Sequence, residues 1–145
     1  MKRIVLYLLI LNCITGCGGF AVKEKIIDNY YLIALDETEQ MSLDYIEEEY
    51  SDILGGTNYP TIINSTVFGV GFNDKYMIIE QHPRVFPYPC DKSITNYYIL
   101  PIKKGMNWRT KNGLIGPLSK DQFNQKRKEL NIENISFTHF IKDFE

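Results

Sequence analysis

The sequence holds no apolar run long enough to cross a bilayer, only two histidines and three cysteines in 145 residues, and no basic stripe. Each shortage removes a class of function. A membrane-spanning helix needs about 20 consecutive apolar residues, and the longest run here, Ile4 to Leu11, has eight. Zinc sites draw on closely spaced Cys and His pairs, whereas His82 and His139 stand 57 positions apart, so no metal is expected. The densest acidic stretch, Asp44, Glu47, Glu48, Glu49 and Asp52, lacks the alternating oxygens and turn glycine of a calcium loop and reads as a solvated face. Gly69 and Gly71 lie in a strand pattern rather than opening a helix, so they make no phosphate cradle and mark a bulge or a close backbone approach. No cofactor is expected. No serine among Ser42, Ser51, Ser65, Ser93 and Ser136 is framed as Gly-x-Ser-x-Gly. Cys90 with His82 or His139 and Asp91 is the one conceivable nucleophile set, and it carries none of the local signatures of cysteine enzymes, so an enzyme is not expected. Without a Lys/Arg stripe interleaved with aromatics, nucleic acid is not the partner.

What is present begins at the N-terminus. Lys2 and Arg3, the apolar Ile4 to Leu11 and the small residues that follow are laid out as a secretory signal. Ile14-Thr15-Gly16-Cys17 resembles the lipobox of bacterial lipoproteins at all four positions; the alternative is an ordinary secretory signal that ends near a cysteine. The resemblance implies a signal peptide over residues 1–16, cleavage before Cys17, and acyl chains such as palmitate on Cys17. It places the protein in the bacterial cell envelope, lipid-anchored to a membrane on the exported side. Two or more acyl chains anchor durably where one is marginal. Cys13 would leave with the signal and Cys17 would be used by lipid, so Cys90 would remain alone and no intramolecular disulfide could form. Removing Lys2 and Arg3 from the 16 basic residues leaves 14 against 18 acidic, a formal charge of −4.

Residues 17–25, with Gly18-Gly19 and Lys23-Glu24-Lys25, read as a short tether, and residues 26–145 as one domain of ordinary size. Tyr30 to Leu35 and Met41 to Tyr45 read as a hairpin of strands. Glu47 to Pro60 reads as a long loop. Val67 to Phe72 and Lys75 to Glu80, joined by Asn73-Asp74, form a second hairpin whose two turn residues tolerate positive φ. Tyr97 to Ile102 is a further strand that Pro101 places at an edge or a strand end. Asn96 to Ile102 echoes Asn29 to Leu35 in residue type, which is too short to establish a repeat. Ser119 and Gln122 stand as a capping box, with Leu118 and Phe123 placed for a hydrophobic staple, and predict a helix to about Leu130 with Asn131 as left-handed cap. The tail from Ile135 to Phe144 fits both periodicities and is read as a last strand. The expected fold is α+β: an antiparallel sheet of about five or six strands with this one helix packed on a face.

Several of these segments taken together resemble a family of small bacterial lipoproteins whose domain is of unknown function. They are Tyr31 to Ala34 with Glu39 to Leu43, Val67 to Tyr76, Gln81-His82-Pro83, Asn96-Tyr97-Tyr98 and Gly113 to Leu118. The resemblance implies no activity and no site residue. Surface recognition is what the residues themselves leave open. His82 to Pro89 is spaced by prolines that bar it from a central strand. The loop as far as Lys92 presents Arg84, Phe86, Tyr88 and Lys92 on a stiffened backbone, and Tyr and Arg are enriched at interface centres. The alternative is that Phe86 and Tyr88 pack into the core and the prolines only end strands. The reading is therefore a non-enzymatic binding or interaction module, anchored to the membrane through Cys17, with an envelope protein as its possible partner. A small envelope enzyme or a structural spacer of an envelope complex are the alternatives.

Overall fold

Alternation along the first strands puts Tyr30, Leu32 and Ala34 on one face and Tyr31 on the other, and Leu43 and Tyr45 repeat the pattern. A sheet built this way has one apolar face to cover. The computed structural model describes residues 22–47, 60–85 and 87–141. In it β1 (Val22–Ile27), β2 (Tyr30–Ala34), β3 (Ser42–Tyr45) and β4 (Thr61–Ile63) form an antiparallel sheet in that order. The second sheet is also antiparallel and runs β8 (Ile115–Leu118), β7 (Asn96–Pro101), β6 (Tyr76–Gln81), β5 (Val67–Phe72), β9 (His139–Phe140). Tyr30, Leu32, Leu43 and Tyr45 of the first sheet share one core with Val67, Val70, Met77, Ile79 and Leu100 of the second. Two sheets face each other, as in a sandwich.

This corrects the expected single sheet of five or six strands with a helix on it: the chain is β-rich, with sheets of four and five strands and one short helix among the described residues. The core of the first sheet is covered by the second sheet rather than by a helix. Composition hid three strands. Residues 22–25, read as tether, belong to β1, an edge strand whose Lys23, Glu24 and Lys25 suit an edge that must not pair further. β4 has three residues, and β8 carries Gly116-Pro117. The centre of the second sheet is buried on both faces, which is why Met77, Ile78 and Ile79 of β6 are all fully buried and read as one apolar run.

The helix α1 (Lys120–Glu129) starts where the capping box placed it, with Gln122 N donating to Ser119 Oγ at 3.3 Å and Ser119 N to Gln122 Oε1 at 2.9 Å. Its buried residue Phe123 stacks on Tyr97 at 4.8 Å, against the outer face of the second sheet. Leu130 packs beside it, and Asn131 takes φ 55°. The β5–β6 turn differs in detail from expectation: neither Asn73 nor Asp74 has positive φ. Asn73 Oδ1 instead accepts from the amides of Lys75 and Tyr76, at 2.9 and 2.8 Å, a side-chain turn that does the same job. Among the described residues the tail supplies the two-residue β9; its residues 142–144, like residues 48–59 of the long loop, lie outside the described residues.

The two ends of the sandwich are built differently. At one, the chain enters at Val22, which pairs with Ala34, and the 3₁₀ turn Thr38–Gln40 lies against the start of β5. There Val67 N donates to Met41 O at 2.8 Å and Thr66 Oγ1 to Glu39 O at 2.6 Å. Buried Gln81 closes the same end, donating from Nε2 to Asn64 O and Ser65 O and accepting from Asn96 and Tyr98 at Oε1. At the opposite end, residues 103–114 fold over the first sheet through Gly105 N to the Tyr45 hydroxyl and Lys111 Nζ to Ile62 O.

Candidate functional site

The loop that leaves β6 at the entry end starts from a backbone pair, His82 and Thr66 each donating N–H to the other's carbonyl at 2.9 Å, and side chains hold it beyond that point. His82, buried, stacks on Phe68 at 4.2 Å, and its Nδ1 lies 2.7 Å from Ile94 O. A carbonyl accepts only, so Nδ1 carries the proton. Asp91 closes a small turn, accepting from Ser93 N at 3.0 Å and Ser93 Oγ at 2.6 Å. These bonds hold its exposed carboxyl below the usual range. Asp91 N also donates to Pro83 O at 2.9 Å. Cys90 is buried against Phe68.

Arg84 corrects the expectation that it stands free in solvent. Its side chain is only 9% exposed, lying 3.5 Å from Glu37 and 3.8 Å from Glu39, with Nε donating to Tyr88 O at 3.1 Å. It fastens the loop to the 3₁₀ turn that follows β2. Tyr88 is 69% exposed, as expected, and Lys92 is exposed. Phe86 and Cys17 lie outside the described residues. The loop also exposes Val85 (73%) and Ile94 (48%), which no sequence pattern singles out. Each reads equally well as a core aliphatic, and only the fold of the loop decides.

Of the conceivable Cys/His set, His82 is bonded to Ile94 O, Asp91 to Ser93, and His139 sits on β9. The acidic run is not wholly a solvated face either. Asp44 is 3% exposed, its Oδ2 accepts from Ser42 Oγ at 2.7 Å, and its Oδ1 has no hydrogen-bond partner among the described residues. Burial pushes its pKa up, opposed in part by the Ser42 and Thr61 hydroxyls. Gly69 and Gly71 serve as read: the β5 register shifts between Val67 and Gly69, and the Ser136 backbone crosses directly over Gly71.

Between the two sheets, at the same end, a groove of about 460 Å³ opens. Its apolar walls are Val22, Leu32, Met41, Phe140 and Ile141. At its rim His139 Nε2 stands 3.6 Å from Glu24 Oε1, joining edge strand β1 to edge strand β9. Thr138 Oγ1 lies 3.0 Å from His139 Nδ1.

The fold and these features define a two-sheet β protein with a braced, partly apolar loop at the end where the chain enters. A family model described as a protein of unknown function (DUF3997) matches residues 27–141, and the chain belongs to that family. No curated protein and no solved structure matches the chain.

Proposed function

We propose that this protein is a lipid-anchored lipoprotein of the bacterial cell envelope that acts as a non-enzymatic binding module, with the 82–94 loop as its recognition surface. Ile14-Thr15-Gly16-Cys17 supports the anchor, with residues 1–16 as the signal peptide. One observation carries the binding role: Val85, Tyr88 and Ile94, three of the six exposed large hydrophobics among the described residues, stand on this single loop. Arg84, His82 and Asp91 brace it from beneath. A backbone fixed before binding has less freedom to lose on contact. Tyr88 and Val85 are therefore the contact residues, Arg84 positions them, and Phe86 and Lys92 lie on the same loop.

The test is a photo-crosslinking residue placed at Tyr88 in cells, with the same residue at Gln125 on the exposed face of α1 as control. An adduct at Tyr88, protein or lipid, with none at Gln125 is the expected result. No adduct at Tyr88 contradicts the assignment of the loop. Tyr88→Ala should leave the denaturation midpoint within the roughly ±0.5 kcal/mol usual for surface sites, whereas Arg84→Ala should lower it.

A further inference from the structure

We propose that the entry end of the sandwich, with Leu35, Val85, Tyr88, Ile94 and Phe140, is a lipid-facing surface that seats on the phospholipid bilayer. The inference rests on the anchored reading above and names the partner of the same loop. Among the described residues six large hydrophobics are exposed, and five of them, all but Trp108, belong to this end. Leu35 follows Ala34, the partner of Val22 in the ladder. Phe140 lines the groove with Val22. Val85, Tyr88 and Ile94 stand on the loop that Arg84 ties to Glu37 and Glu39, beside the turn after Leu35. Trp108 packs near Tyr45 at the opposite end, 6.3 Å between ring centres. Scattered single apolar residues are ordinary on a protein surface, but a gathering at one end marks a contact.

The length of chain before the fold identifies the contact. Val22 is five residues beyond Cys17, a span of at most about 18 Å when extended. A lipid on Cys17 therefore holds this end, and not the Trp108 end, within reach of the membrane. Tethering makes the encounter intramolecular, so a few apolar side chains suffice where a free protein would need many. Tyrosine, with an apolar body and a polar tip, is a residue of the membrane–water boundary. Charge argues for apolar seating: at this end Glu24, Asp36, Glu37, Glu39 and Asp91 outnumber Lys23, Arg84 and Lys92, so attraction to anionic headgroups is not what holds it.

The test uses the lipoprotein purified from its membrane and reconstituted in phosphatidylcholine vesicles whose acyl chains are brominated. Trp108 is the only tryptophan of the chain, so the parent reports on the far end. Tyr88→Trp and Phe140→Trp, each in a Trp108→Phe background, report on the near end. The expected result is a blue-shifted emission, quenched at least two-fold by bromine, for both near-end variants, and no quenching of Trp108 in the parent. Quenching equal at both ends, or none at the near end, overturns the proposal; an unquenched Tyr88→Trp that crosslinks to protein in cells makes an envelope protein the partner instead. Mass spectrometry of the same preparation reads the tether separately. A Cys17 without acyl chains refutes the anchoring, whereas an acylated Cys17 with unquenched near-end variants refutes the surface alone.

Discussion

The Asn112 carboxamide donates to the Tyr30 hydroxyl at 3.2 Å, joining residues 82 positions apart in the chain. The same side chain donates to Gly105 O at 3.0 Å and accepts from Asn107 N at 2.9 Å, so a buried amide uses both donors and its acceptor. Its backbone sits in the left-handed region at φ 58°, which asparagine tolerates. Together with the Gly105–Tyr45 and Lys111–Ile62 bonds, this residue closes the 103–114 loop over the first sheet, away from the proposed contact.

Asn112→Ala should therefore cost about 2–4 kcal/mol, combining roughly 1–3 for stranded buried polar groups with about 1 for a left-handed alanine. Asn112→Gly removes the bonds but not the backbone's ease, and should cost about 1 kcal/mol less. Equilibrium denaturation of both variants measures the split. An alanine variant as stable as the parent would show that the loop does not depend on this amide.

Asp44 gives a pH dependence. Burial raises its pKa from 3.8. A group that binds its proton more tightly folded than unfolded contributes stability below its unfolded pKa, and that contribution is lost as pH rises through the folded value. Stability due to Asp44 should fall as pH climbs above 3.8, because ionising this buried carboxyl carries a desolvation cost. Asp44→Asn should raise the denaturation midpoint at pH 7 and lose that advantage below pH 3.8. A difference between the two proteins that stays constant with pH would mean that Asp44 titrates normally.

The glycines of β5 offer a paired comparison. A Cβ at Gly71 would meet Ser136 O at 2.1 Å, and that oxygen belongs to backbone. At Gly69 the nearest atom is a terminal carboxylate oxygen of the Glu80 side chain, at 2.7 Å. Gly71→Ala should cost about 3 kcal/mol, the upper part of the overpacking range, and Gly69→Ala less than half of that. Denaturation midpoints of the two variants decide it; equal losses would place the tight spot elsewhere.

Features that depend on neighbours in sequence were legible. The Ser119–Gln122 box, the left-handed cap at Asn131 and the β5–β6 hairpin each need only a few adjacent residues, and each is found. The bulge and the close approach at Gly69 and Gly71 also follow from local composition. The second layer was not legible, because β1 announces itself with Lys23-Glu24-Lys25, residues that read as tether, and β8 holds Gly116-Pro117, which carries no strand pattern. A strand buried on one edge by pairing alone leaves little apolar signal. At the loop, the prolines marked an exposed segment correctly at Tyr88, yet Arg84 was misplaced. Its ion partners Glu37 and Glu39 are more than 40 positions away in sequence, and no local pattern announces a pairing made by the fold.

The proposed anchor at Cys17 underlies both the proposed envelope role and the proposed lipid-facing end, and intact-mass analysis of the protein extracted from the membrane fraction reads it directly. Expression of the full chain should give a mature N-terminus at Cys17 carrying acyl chains, and Cys17→Ser should leave an uncut, unacylated precursor. A mature chain that begins elsewhere, a Cys17 free of lipid, or normal processing of Cys17→Ser would contradict the membrane-tethered function.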